Sequence, residues 1–177
     1  ELRSRNQASD LGSRSELGKA KALCWWPAET DVSILPGWFY HPEDDQRVKP
    51  LTTLLDYWFT AVGGNAVLLL NVPADRRGQI AAPDVAVLQD LGDYLKATFA
   101  NNIARSTGAR HDGREVHFHQ PITIDLLDLA EDLAVTGQRV EEFHVDVMRD
   151  GAWQECAKGT TIGFRRLLRI EPITGTA

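Results

Sequence analysis

Between positions 25 and 41 this chain sets three Trp, a Tyr, a His and two carboxylates in one run, Trp-Trp-Pro-Ala-Glu-Thr-Asp-Val-Ser-Ile-Leu-Pro-Gly-Trp-Phe-Tyr-His. Pro27, Pro36 and the Gly37-Trp38 step predict an irregular segment. Aromatic faces beside acids suit a site that holds a sugar ring. The C–H face of the ring lies on an indole while its hydroxyls reach carboxylates. The competing reading is a core-forming loop, because Trp and Phe are usually buried.

Other residue groups carry weaker chemistry. His117 and His119 fall on one face of an extended segment and could chelate a metal. No third ligand accompanies them, so a solvent-facing pair is the expectation and no metal site is assigned. Arg76 and Arg77 could reach an acidic ligand, but a solvated loop or a salt bridge is the usual outcome. Arg165, Arg166 and Arg169 are expected on the surface of a β module. Cys24 and Cys156 lie far apart and outside any CxxC pair, which predicts buried free thiols. The glycine clusters lack the spacing of a phosphate-binding loop.

The chain has 177 residues, 43% hydrophobic and 25% charged, the composition of a globular protein with one domain or two small ones. Its net charge of −6 argues against a nucleic-acid partner and against binding anionic membranes. The longest apolar runs, 22–26 and 66–70, are too short to span a bilayer. The N-terminus shows neither an initiator Met nor a signal-peptide pattern and reads as though cut from something longer. The compartment stays open, with an extracellular or periplasmic setting compatible.

Positioning such a site requires elements, and two kinds are legible. Residues 1–17 are polar and read as an arm. Residues 20–26 fit a buried strand, followed by a long loop over 27–48. Pro50 opens a helix whose apolar stripe is Leu51, Leu54, Leu55, Trp58, Phe59 and Val62, at helical spacing. Gly63, Gly64 and Asn65 end it with residues that accept positive φ. Residues 66–72 lack polar alternation and predict a strand buried on both faces, as in a parallel sheet. A loop over 75–79 leads to a second helix from Pro83, with Val87, Leu88, Leu91, Leu95 and Phe99 as its stripe. Residues 20–99 are thus two β/α units, about a quarter of a barrel of eight. Beyond Asn102 the pattern turns extended. Phe143, Val145 and Val147 alternate with His144, Asp146 and Met148, and Asp150-Gly151 marks a hairpin turn. This predicts an antiparallel β module.

The 25–41 run resembles a signature of the α-L-fucosidases of glycoside hydrolase family 29, in the branch preferring α-1,3/1,4 linkages. The resemblance continues through Leu-Leu-Asp-Tyr-Trp at 54–58, Val-Gly-Gly-Asn at 62–65, Leu-Leu-Leu-Asn-Val-Pro at 68–73, Asp-Arg-Arg-Gly at 75–78 and residues 90–99. In the β module it includes Thr-Gly-Gln-Arg-Val at 136–140, Trp153 and Gly-Thr-Thr-Ile-Gly-Phe-Arg-Arg-Leu at 159–167. It covers roughly residues 24–170, with the motifs in order.

The resemblance implies an α/β plus all-β fold. Residues 1–102 would be the C-terminal portion of a catalytic (β/α)8-like barrel, and residues 103–177 an incomplete antiparallel β-sandwich. It implies a retaining hydrolase of fucosylated oligosaccharides or glycoconjugates, without a cofactor, whose nucleophilic Asp and acid/base Glu belong to barrel strands upstream of Glu1. The remainder of the barrel is then a required partner. Within the chain Trp38 is the implied platform for fucose, with packing at the barrel mouth as the alternative. Trp25 would form the pocket floor or pack as core. Tyr40 and His41 would meet sugar hydroxyls or order the loop. Glu29 is the acid with a claim to the cleft, as a hydroxyl ligand or, as a minor alternative, the acid/base. Asp31 is expected in a structural hydrogen bond. Three departures stand out. Leu35 and Gly64 replace Arg, which would remove positive charge near the cleft, and the sandwich is short around 109–114. The alternatives are a carbohydrate-binding protein without catalysis and a purely structural remnant.

Overall fold

The computed structural model describes residues 14–22, 28–106, 109–111 and 114–177. After a short helix α1, Arg14–Leu17, comes a parallel pair: β1, Glu29–Ser33, and β2, Val67–Asn71. Glu29 lies opposite Val67 and Ser33 opposite Asn71. The crossover between them holds a 3-10 turn, Pro42–Gln46, and the helix α2, Leu51–Ala61. The helix α3, Ala82–Phe99, follows β2. Both helices occupy the spans predicted from their apolar stripes.

The strand β1 lies beyond the apolar stretch at 20–26. Ala20 to Ala22 are irregular, residues 23–26 of the expected strand fall outside the described residues, and the strand forms inside the expected 27–48 loop. Its sequence, Glu-Thr-Asp-Val-Ser, is mostly polar. What makes it a strand is the ladder it shares with β2. Nor is β2 buried on both faces: Val67 and Leu69 are 56% and 49% exposed. They share one open face with Glu29 and Asp31, because side chains alternate and these residues are in register. Leu70, on the opposite face, packs against the core with the helices.

The second half opens with α4, Ile103–Ser106, and a two-residue antiparallel pair of β3, Arg110–His111, and β4, Val116–His117. Then come β5, Ile122–Leu129, a helical turn α5, Leu133–Thr136, β6, Phe143–Arg149, β7, Ala152–Gly159, and β8, Arg166–Gly175. Strands β5 and β8 pair antiparallel, as do β6 and β7, and β8 packs against both β6 and β7. Asp150 and Gly151 have φ of 53° and 79°, the conformation the expected hairpin turn requires.

One core joins the halves. Ile34, Leu35, Leu54, Leu55, Phe59 and Leu91 are buried together with Leu167 of β8, and Leu126 of β5 packs against them. Burying each such side chain contributes about 1.5–3 kcal/mol. Around this core runs a polar seam. Asn65, at φ 65°, donates from Nδ2 to the Ile162 carbonyl (2.8 Å) and accepts at Oδ1 from the Arg165 backbone N–H (2.9 Å). The Leu167 N–H donates to the Gly63 carbonyl at 3.1 Å. Position 63 requires glycine by proximity: a Cβ there would lie 2.7 Å from the Leu167 Cβ.

Two of the arginines expected on the surface also reach across this seam, Arg169 while remaining exposed. Arg165 donates to both carboxylate oxygens of Asp128, at 3.1 and 2.7 Å, and lies over Trp58 and Phe99. Arg169 donates to Asp56 at 2.7 Å and lies over Phe59. A planar guanidinium can stack on a ring while its edge meets a carboxylate, so these side chains bind the helices to β5 and β8. Cys156 is half-buried and its thiol donates to the Val145 carbonyl at 3.3 Å; burial pushes its pKa up. Cys24 lies outside the described residues.

Candidate functional site

The C-terminal ends of β1 and β2 are tied by two adjacent polar side chains. Ser33 is 7% exposed. Its hydroxyl donates to the Gly37 carbonyl at 2.6 Å and accepts from the Leu35 N–H and from Asn71 Nδ2, at 3.3 and 3.1 Å. The same Asn71 amide donates to the Trp38 carbonyl at 3.0 Å. Asn71 therefore fixes the strand end and the turn beyond it together. From that clamp Trp38 projects 51% exposed and Phe39 77% exposed.

A cation supports the same turn from beneath. Lys49 Nζ donates to the carbonyls of Ser33 and Leu35, at 2.7 and 2.6 Å, and its N–H donates to the Ile34 carbonyl at 2.9 Å. Burial lowers the Lys49 pKa. Nothing in the sequence marked Lys49 for this role, since its partners are backbone atoms about fifteen residues away, a tertiary pairing rather than a local one.

The loop after β2 forms the neighbouring wall. Asp75 Oδ1 accepts from the backbone N–H groups of Arg77 and Gln79, at 2.8 and 3.2 Å. Its Oδ2 accepts from Arg77 Nε and Nη2, at 2.9 and 2.6 Å. The Arg77 side chain first, with these backbone donors, pulls the Asp75 pKa down. Gly78, at φ 76°, makes the turn. Across from it the Tyr40 hydroxyl donates to Asp45 Oδ2 at 3.4 Å; desolvation and the Asp45 charge raise its pKa. Tyr40, Pro42, Asp75, Arg76 and Arg77 line a shallow cleft of about 190 Å³ between the loops. Beneath it Asp84, at the start of α3, is 1% exposed with neither oxygen hydrogen-bonded, and burial raises its pKa. A larger cavity of about 1730 Å³ lies between the β pairs and α3, lined by residues such as Phe118, Ile124, Phe143 and Val147.

Among the residues singled out from sequence, Trp38, Tyr40 and His41 are carried by the turn beyond β1, and His41 is exposed. Glu29 is exposed at the N-terminal end of β1, four residues before Ser33 and about 13 Å along the strand. Asp31 is exposed on the same face. Trp25 lies outside the described residues. Neither replaced arginine position lines the cleft. Leu35 is 1% exposed within the core, and Gly64 forms a bridge with Arg166 in the seam. His117 pairs with Glu115 at 3.0 Å. Among the described residues no group of three or more His, Cys, Asp or Glu could hold a metal, and no helix is long and apolar enough to cross a membrane.

A family model described as Alpha-L-fucosidase matches residues 5–99. Alpha-L-fucosidase 1 of Arabidopsis thaliana is 31% identical over 193 residues, covering 89% of this chain and 38% of the relative. A crystal structure of a candidate α-L-fucosidase from Bacteroides ovatus superposes with a TM-score of 0.83 at 43% identity, covering 96% of this chain and 30% of that one. A Ruminococcus gnavus GH29 fucosidase solved in complex with fucose superposes with a TM-score of 0.77 at 26% identity, over 88% of this chain and 38% of that one. The chain therefore spans well under half the length of these proteins. The plant alignment, 193 residues, exceeds the 177 of this chain, so the relative carries residues inside the aligned stretch that this chain lacks.

Proposed function

The chain belongs to the α-L-fucosidase family, and from that premise we propose that the protein carrying it is a retaining α-L-fucosidase that releases terminal α-1,3/1,4-linked L-fucose from oligosaccharides or glycoconjugates. In this reading residues 1–102 are the C-terminal portion of a (β/α)8-like barrel and residues 103–177 a β-sandwich, with the remainder of the barrel as the necessary partner.

One observation carries the reading. At the C-terminal end of a parallel strand pair, where barrel enzymes build their sites, Asn71 holds the Trp38 carbonyl and leaves the indole half exposed. An indole so presented offers its face to the C–H side and methyl of fucose. Tyr40, His41 and, along the strand, Glu29 supply polar groups on the same chain segment, and Trp25 would form the floor. The Ruminococcus gnavus relative, solved with fucose, supports fucose as the sugar.

Retaining hydrolysis needs one carboxylate to attack the anomeric carbon and a second to protonate the leaving oxygen and then deprotonate water, about 5–5.5 Å apart. Two carboxyl groups suffice, so the chemistry calls for no cofactor. We place both on barrel strands outside these 177 residues. Glu29 is the alternative acid/base within them. The test is turnover of a fucosyl aryl glycoside. The 177-residue chain alone is expected to be inactive and the full-length protein active. Turnover by the isolated chain would overturn the placement of both acids, and Glu29→Gln would then abolish it. A full-length protein that binds fucose without turnover would establish the non-catalytic reading instead.

A further inference from the structure

The cleft between the loops after β1 and β2 has a charged group, Arg76, that no described residue neutralises. Asp75 is spent: Arg77 occupies one oxygen and two backbone N–H groups the other. Tyr40 has given its hydroxyl to Asp45, which leaves its ring as wall, and Pro42 extends that apolar wall. Arg76 is exposed and has no hydrogen bond or ion pair among the described residues. The chain carries a net charge of −6, so a bare guanidinium here is not part of a general basic surface.

We infer that this cleft binds an anionic group on the sugar next to the fucose, a sulfate ester or a carboxylate, with Arg76 as its cation and Tyr40 and Pro42 as the wall for that sugar's C–H face. The inference rests on the fucosidase reading and deepens it by naming a substrate class. The planar guanidinium presents paired N–H donors that match both anions. Asp75, held by Arg77, adds little competing negative charge. Asp45, which opposes the anion, accepts from the Tyr40 hydroxyl. The cleft volume of about 190 Å³ accommodates a charged sugar edge rather than a whole glycan.

The experiment compares kcat/KM of the full-length protein on three fucosylated trisaccharides: a neutral one, one with a sulfate ester on the neighbouring sugar, and one extended by a carboxylate-bearing sugar. The wild type is expected to prefer at least one anionic substrate over the neutral one, and which of the two identifies the group. Arg76→Gln should reduce that preference roughly ten-fold, the worth of one charge-assisted hydrogen-bonded pair. Arg76→Lys should keep part of it and Arg76→Glu should invert it. Raising the ionic strength to about 1 M should shrink it in the wild type, while Arg149→Gln, on the distant β6 hairpin, should leave it intact. A wild type without anionic preference, or a preference that survives Arg76→Gln, overturns the inference while leaving the fucosidase reading standing. Failure to cleave any of the three overturns both.

Discussion

Replacing Asn71 by Ala removes a single amide that holds two things at once. Its Nδ2 donates to Ser33 Oγ at 3.1 Å and to the Trp38 carbonyl at 3.0 Å. A net hydrogen bond contributes about 0.5–1.5 kcal/mol. The bond to Ser33 is partly shielded, whereas the one to Trp38 is exposed and belongs at the low end. Their sum is about 1–2 kcal/mol. Denaturant unfolding should show this as a lower midpoint with an unchanged slope, because the surface buried does not change. The same loss should reach the site, since the Trp38 turn is released from β2. Fucose affinity is expected to fall roughly ten-fold, the equivalent of about 1.4 kcal/mol. Asn71→Asp should do worse than Ala, because a carboxylate faces the Trp38 carbonyl, acceptor against acceptor. A double-mutant cycle with Ser33→Ala isolates the shared bond and should give a coupling of about 0.5 kcal/mol or more. Strictly additive single effects would refute the coupling of Asn71 to Ser33, and fucose binding unchanged in Asn71→Ala would refute the idea that this amide positions Trp38.

Other expectations follow from the same geometry. Trp38→Ala should weaken fucose binding roughly ten-fold, as loss of an aromatic anchor does, with little change in Tm because the ring is half exposed; calorimetry and thermal unfolding separate the two. Gly163→Ala should destabilise by about 1–3 kcal/mol, since φ is 69° and the new Cβ would stand 2.6 Å from Asn65 Oδ1 in the seam; thermal unfolding reads this directly. His144 has its pKa raised, first by its hydrogen bond to Glu155, at 2.7 Å. A raised pKa means the native state binds the proton more tightly. Its stabilisation is complete below the unfolded value of 6.5 and is lost as pH rises through the higher folded value. His144→Gln should flatten the dependence of Tm on pH in that window.

Much of the fold follows from local pattern. The α2 and α3 stripes repeat at helical spacing and the helices form there, because an apolar face needs only its own periodicity to be recognised. Asp150-Gly151 turns the β6–β7 hairpin because both residues take positive φ with little strain. The aromatic content of the turn beyond β1 is equally local, and Trp38 needed no structure to be singled out.

What only the tertiary structure decided depends on partners distant in sequence. The run Glu-Thr-Asp-Val-Ser carries little apolar signal and becomes β1 through its ladder with β2, 38 residues later. That pairing set Glu29 and Asp31 on an open face. Leu35 reads from sequence as a missing charge at a cleft, yet it is core, because the turn folds back over α2. Arg165 and Arg169 read as surface, and Arg169 is exposed, yet both also contact the helices, since aromatic faces and carboxylates from α2, α3 and β5 converge on them. Composition and spacing could nominate candidate sugar-facing residues. They could not show that Asn71 holds the Trp38 carbonyl, or that among the described residues Arg76 has no partner while Arg77 does. Those facts are set by hydrogen bonds whose two ends meet only after the chain has folded.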